Sequence, residues 1–270
     1  MKTDSLVTID RAACRRDGVC SAVCPVDLFV ADPDGIPAFR AAGNKRCMEC
    51  GHCVAACPHD AIDHLAIPRA DSPVVDAALA LPAAAAVQLL KSRRSVRQFR
   101  SEPVPHELMA KFVDTARWAP TARNRQEVHW LVLRDPAAVR QLAGLTVEWL
   151  RQDTGLGSQY AGFVTAWEDG EDRVLRGAPH LVVAHGPADW QGSAVDCTIA
   201  LNYFELAAVA HGVGTCWAGF LTRAAADYAP LQEALALPGG HRAFGALMFG
   251  YPKYCYRRIP QRREARVEWR

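Results

Sequence analysis

The sequence predicts a protein of mixed helices and strands in two parts: a small cysteine-rich domain held together by metal, then a larger domain built of both helices and strands. Three observations carry this prediction. Seven of the ten cysteines fall between residues 14 and 57, in two runs that repeat each other. A proline-spaced stretch follows at 66–82. Beyond it the texture changes to segments of helical and strand periodicity. The 270 residues suit one large or two modest domains, and half of them are hydrophobic, enough for a core.

The second cysteine run reads Cys47-Met-Glu-Cys50-Gly-His-Cys53-Val-Ala-Ala-Cys57-Pro58. This is C-x2-C-x2-C-x3-C-P, the spacing that binds [4Fe–4S] clusters. Short spacers let three thiolates wrap one cube, and the last cysteine, fixed by proline, turns away to a second. The first run overlays it at an offset of 33: Cys14 on Cys47, Cys20 on Cys53, Cys24 on Cys57 and Pro25 on Pro58. Asp17 stands where Cys50 stands in the second run. The segment is an internal duplication.

Over roughly residues 5–67 it resembles the two-cluster bacterial ferredoxins. The resemblance implies that the fourth cysteine of each run serves the other cluster. Cluster I then takes Cys14, Cys20, Cys57 and position 17; cluster II, a [4Fe–4S] cube, takes Cys47, Cys50, Cys53 and Cys24. Asp17 has three readings. It ligates a fourth iron of a [4Fe–4S] cluster, it leaves that corner empty as [3Fe–4S], or it is a turn residue before Gly18. A carboxylate is a hard donor and suits a thiolate-bound iron less well than sulfur, so that iron is expected to be labile. His52 sits between ligands and reads either as a solvated neighbour or as a hydrogen-bond donor to a cluster sulfur, and His59 and His64 carry no functional reading. A domain spanning 1–67 buries little apolar surface, so its clusters should supply much of its folding energy.

A linker is expected over 68–82 and a second domain over 83–270. Residues 83–92 form a helical run. His106 to Trp118 places Leu108, Met109, Phe112, Val113 and Ala116 on one helical face. Strands are expected at His129–Arg134, Leu181–His185 and Ala243–Phe249. The helix Val195–Ala210 is apolar almost all round, so it must be deeply buried or covered by a second subunit.

Five segments, in order, resemble the FMN-dependent nitroreductase family: RRSVRQF at 93–99, APTARNRQ at 119–126, GAPHLVVA at 177–184, LAAVAHGVGTCWAGF at 206–220 and GYPKYCYRRIPQRR at 250–263. The whole chain therefore resembles ferredoxin–nitroreductase fusions. The resemblance implies a bacterial-ferredoxin-like domain followed by a nitroreductase-like α+β domain that forms an intertwined homodimer with FMN at the interface. FMN carries a phosphate dianion, which guanidinium groups bind through paired, charge-assisted hydrogen bonds. Arg93, Ser95 and Arg97 alternate and would face one side in an extended chain; Arg94 lies among them. Arg262 and Arg263 match the family's second phosphate cluster. Thr121 and Asn124 match its flavin-contacting loop, although the chain continues Gln126-Glu127-Val128 where the family has Gln-Pro-Trp. Trp217, Ala218 and Gly219 match the segment over the flavin ring. Cys216, Cys197 and Cys255 read as structural. Residues 146–172, with Tyr160 and Trp167, either cover the flavin or form a surface excursion. No catalytic side chain is named.

The resemblance implies reduction of nitro groups, quinones or activated alkenes; one-electron clusters beside a flavin read as a relay that carries electrons from an external donor, a reduced ferredoxin or flavodoxin, through the clusters to FMN. Two other directions stay open: an electron-transfer adaptor for a protein partner, and a flavin dehydrogenase that empties into ferredoxin. The net charge of +2 gives no sign of a nucleic-acid partner. The apolar run at 77–90 is too short to span a bilayer and is broken by Pro82. The first residues lack the apolar core of an export signal, so a cytoplasmic protein is expected. Neither G-x-G-x-x-G nor a P-loop occurs, so no dedicated nicotinamide domain is expected, though direct NAD(P)H use stays open.

Overall fold

The computed structural model describes residues 5–40, 42–152 and 160–270. They group into two compact units: residues 1–80 with 123–125, and residues 81–122 with 126–270. The first holds β1 (Val7–Ile9), α1 (Val19–Ala22), β2 (Phe29–Ala31), β3 (Pro37–Phe39), α2 (His52–Ala56) and β4 (Ile62–His64). β1 pairs antiparallel with β4, and β2 with β3.

The duplication read from the cysteines recurs in the backbone. Gly18 and Gly51 precede α1 and α2 in the left-handed conformation, at φ 73° and 70°. Arg16 and Glu49 share that region at 62° and 49°, as do Asp27 and Asp60 at 50° and 51°. Non-glycine residues enter it rarely, so each matched pair marks a turn that the local fold demands twice. The core of this unit is small: Val7, Phe29, Val54 and Ile62, with Phe39 packed edge-on against Phe29. The stretch read as a linker carries two short 3-10 turns, Arg69–Asp71 and Ala77–Leu79, and leaves Val74 and Val75 exposed.

The second unit holds α3 (Ala83–Ser92), α4 (His106–Ala116), β5 (His129–Leu133), α5 (Pro136–Gln152), α6 (Ala161–Glu168), β6 (His180–Pro187), α7 (Ser193–Ala210), β7 (Gly214–Trp217), α8 (Gly219–Asp227), α9 (Ala229–Leu235) and β8 (His241–Gly250). Its sheet runs β5-β6-β8-β7, antiparallel throughout. Both faces are covered, which is why β6 reads as a continuous apolar run instead of an alternating one. Leu181 and Val183 face one core, with Val139 and Leu142 of α5, Leu221 of α8 and Leu231 of α9. Val182 and Ala184 face the other, with Phe112 of α4 and Phe204 of α7. Phe204 packs edge-on to both Phe112 and Phe249. α7 is only half covered: Cys197, Leu201 and Phe204 are buried, while Val195 and Tyr203 are exposed. Trp167 of α6 lies against Gly144 of α5 and beneath the Arg140 guanidinium, so it serves packing within the unit. Positions 153–159 of the expected flavin cover lie outside the described residues.

Three histidines meet where β5, β6 and β8 converge. His129 and His185 are register partners, and His185 Nδ1 lies 3.0 Å from His241 Nδ1. Burial, with His241 and His129 alongside, pushes the His185 imidazole down to about 4. The unfolded chain takes up this proton first, near the ordinary value of about 6.5. The resulting stability is complete above that value and is lost as pH falls towards about 4, to the extent of about 3 kcal/mol. Urea titrations at pH 7 and pH 4.5 are expected to show a smaller acid loss in His185→Asn than in the parent. Equal losses would remove His185 as the cause.

Candidate functional site

The eight candidate ligands of the first unit sort into two cavities. One is lined by Cys24, Cys47, Cys50 and Cys53, with Val7, Leu28, Phe29, Phe39 and His64 among its other walls. The second is lined by Cys14, Asp17, Cys20 and Cys57, with Ile9, His59 and Ile62. Each cavity thus takes the last cysteine of the opposite run. All these cysteines are free thiols. Among the described residues no three His, Cys, Asp or Glu side chains converge on a single metal ion. Four thiols around the first cavity, and three thiols with a carboxylate around the second, are instead spaced as a multi-iron cluster requires.

Backbone N–H groups already point at the sulfurs: Leu28 at Cys24 (3.4 Å), Ala61 at Cys57 (3.3 Å) and Glu49 at Cys47 (3.4 Å). The first two are equivalent through the duplication. Donors of this kind favour a thiolate, so both donor set and surroundings fit an iron–sulfur cluster. Without metal, burial pushes the Cys53 thiol up to about 11, so cluster binding must displace its proton. Asp17 Oδ1 accepts the Val19 N–H at 3.1 Å, as a turn residue does, while the side chain also lines the second cavity. Its Oδ2 lies 3.4 Å from His59 Nε2, a contact the sequence did not announce.

In the second unit, β7 is an edge strand, and residues 95–96 run along its open side. Ser95 bridges Thr215 in parallel fashion, and the Val96 N–H donates to the Thr215 carbonyl at 2.8 Å. The approach requires Gly214, because a Cβ there would lie 2.5 Å from Val96 Cγ2. This brings Arg93, Arg94, Ser95 and Arg97 beside the 215–219 segment. Arg97 is exposed. Arg93 donates to Glu205 Oε1 at 3.1 Å, and the Thr215 hydroxyl donates to the same oxygen at 2.6 Å. Trp217 is exposed and Ala218 buried. Gly219 and Phe220 open α8, where no preceding turn supplies carbonyls for their N–H groups. Burial pushes the Cys216 thiol up despite the pull of Arg97 and Ser95, in keeping with a structural thiol. An exposed arginine, a hydroxyl and helix-opening N–H groups are donors suited to an anionic, hydrogen-bonding cofactor.

Thr121 lines a cavity with Ala116, Arg117, Ala119, Gln126, Val128 and Ala200, and its hydroxyl accepts the Gln126 N–H at 3.0 Å. Asn124 was expected to address a flavin. Its residue group 123–125 belongs to the first unit, where Nδ2 donates to the Met48 and Glu49 carbonyls at 3.0 and 2.9 Å. Arg123, Asn124 and Gln126 all have positive φ, at 58°, 54° and 54°, which marks this loop as strained. Arg262 and Arg263 lie in an exposed tail without regular structure, and Cys255, read as structural, is exposed there too. Two residues escaped the sequence reading. Asp196 and Glu205 are buried carboxylates on α7, one accepting the Ala122 N–H at 2.9 Å, the other holding Arg93 and Thr215. Acids inside an otherwise apolar helix are costly without partners, and that was the available signal.

Residues 90–251 match the nitroreductase family, and residues 6–58 match the 4Fe-4S dicluster domain. A putative NADH dehydrogenase/NAD(P)H nitroreductase of Archaeoglobus fulgidus is 27% identical over 167 residues, 62% of this chain and 85% of that protein. A nitroreductase with bound FMN from Desulfitobacterium hafniense shares the fold at a TM-score of 0.56 and 21% identity, covering 67% of this chain and 97% of that one. An NADH dehydrogenase of Thermus thermophilus is 40% identical over 62 residues, 23% of this chain and 30% of that protein. The chain is an oxidoreductase that belongs to the nitroreductase family, with a 4Fe-4S dicluster ferredoxin domain ahead of its α+β domain.

Proposed function

We propose that this protein is an FMN-dependent reductase of nitro, quinone or activated-alkene substrates, charged from an external reduced ferredoxin or flavodoxin through two N-terminal iron–sulfur clusters. The observation that carries the reading is the sorting of eight candidate ligands into two cavities, in a chain whose remainder belongs to the nitroreductase family. When bound, the clusters carry single electrons and FMN delivers them in pairs.

The chain's own residues hold and orient these groups. Cys24, Cys47, Cys50 and Cys53 hold a [4Fe–4S] cube. Cys14, Cys20 and Cys57 hold the other cluster, with Asp17 on its fourth iron or, failing that, a three-iron form. Arg93, Ser95 and Arg97 grip the FMN phosphate, with Arg94 alongside; Arg262 and Arg263 complete that grip from the tail. Trp217, Ala218 and Gly219 lie along the flavin ring, and Thr121 and Asn124 belong to the loop that addresses it. A homodimer is supported by the exposed apolar side chains of α3 and α7: Val87, Leu90, Val195 and Tyr203. The protein works in the cytoplasm, the first domain spanning 1–67, the linker 68–82 and the second domain 83–270. Among the described residues no helix is long and apolar enough to cross a membrane.

The test is an anaerobic panel of nitroarenes, quinones and enones, run with a reduced ferredoxin and separately with NADH. Saturable, ferredoxin-dependent turnover of at least one class is the expected result. Oxidation of the reduced protein only by a protein partner would instead make it an electron-transfer adaptor.

A further inference from the structure

His64, at the end of β4, is 2% exposed. Its ring spans two contacts. Nδ1 accepts the Ala66 N–H at 3.1 Å, and Nε2 lies 3.6 Å from Cys47 Sγ. An Nδ1 that accepts carries no proton, so the ring proton sits on Nε2 and is directed at the sulfur. The ring is held from several sides. Asp63 Oδ1 accepts the backbone N–H groups of His64 and Arg69, both at 2.9 Å, and β4 pairs His64 with Val7 of β1. Cys47 Sγ also receives the Glu49 N–H, so this sulfur has two donors, one of them a side chain.

The duplication supplies an internal control. Thirty-three residues before His64 stands Ala31, at the corresponding end of β2. Ala31 carries no donor. The ligand equivalent to Cys47 is Cys14, and the strand that mirrors β4 offers it no side-chain proton. The two cavities therefore differ in this hydrogen bond, as well as at Asp17 and at His59, whose counterpart thirty-three residues earlier is Val26.

We propose that His64 donates a hydrogen bond to the Cys47 thiolate and thereby raises the reduction potential of the cluster held by Cys24, Cys47, Cys50 and Cys53. The inference rests on the reading that these four residues hold a cluster. A proton aimed at a ligand sulfur stabilises the more negative, reduced state, and hydrogen bonds to sulfur are among the terms that set cluster potentials. His64 is a positioning and tuning residue; it is not a ligand.

The test uses the reconstituted full-length chain, with each cluster's reduction followed by electron paramagnetic resonance. His64→Phe keeps a ring and removes the donor. It is expected to shift the reduction equilibrium of one cluster about tenfold towards the oxidised form, ~59 mV for one electron, and to leave the other cluster unmoved. His64→Gln, which restores an N–H, is expected to recover part of that shift. A second measurement needs no substitution: with 15N-labelled histidine, one reduced cluster of the unaltered protein should show hyperfine coupling to an imidazole nitrogen. Full iron content with unmoved potentials, equal shifts of both clusters, or no imidazole coupling overturns the proposal. If Cys47→Ser leaves iron content and both spectra unchanged, the cluster reading itself is wrong, and the two failures are thereby told apart.

Discussion

Replacing Arg93 and Arg97 together by alanine is expected to strip the protein of FMN while leaving its iron in place. Arg97 is exposed beside the 215–219 segment, and Arg93 spends one guanidinium nitrogen on Glu205, leaving the rest of the fork for a phosphate. Hydrogen bonds to charged groups contribute about 1.5–3 kcal/mol each. Losing both arginines should therefore weaken FMN binding by about two to four powers of ten, since 1.4 kcal/mol is about tenfold. Arg97→Ala alone should remove part of that affinity without disturbing the fold. Arg93→Ala should also destabilise the second unit, because Glu205, 4% exposed, keeps the Thr215 hydroxyl but loses its positive partner. Flavin fluorescence after gel filtration, read beside iron content and melting temperature, separates the two effects. Stoichiometric flavin in the double variant would mean that the phosphate sits elsewhere.

Cys57→Ala is expected to empty the cavity that contains Cys14 and Cys20, not the one built by its own run. The intact protein should carry about eight irons, or about seven if Asp17 fails to hold one, as two cluster sites require. The variant should retain about four, and its spectra should match those of Cys14→Ala. Crossing of the runs predicts this because Pro58 follows Cys57 and turns it away from Cys47, Cys50 and Cys53, and the cavity linings show the exchange. A Cys57→Ala spectrum matching Cys50→Ala would reverse the assignment. Asp17→Cys probes the fourth corner: the cluster should become firmer and resist iron loss on exposure to air. Unchanged iron content and spectra after anaerobic reconstitution would count against any ligand role for Asp17.

Much of the fold could be read in advance, and the reason is local. Expected helices over 83–92 and from His106 correspond to Ala83–Ser92 and His106–Ala116, and the three expected strands correspond to β5, β6 and β8. Each follows from side-chain periodicity or a continuous apolar run, which neighbouring residues set among themselves. β7 was harder to see. It has four residues with glycine at its start, and it exists because β8 lies on one side and the 95–96 segment on the other. α7 is apolar by sequence yet only partly covered, since periodicity reports which faces avoid water and not what meets them.

The cluster chemistry was legible in residue order: cysteine spacing is set by the size of a cluster, and an offset of 33 exposes a duplicated site. The donors that surround those ligands became visible only in the folded chain. His64 lies seventeen residues from Cys47 and meets it because β4 returns beside β1; Glu205 lies 112 residues from Arg93 and meets it because α7 packs against β7. Such contacts depend on how strands and helices pack, and packing joins residues whose separation along the chain carries no signal.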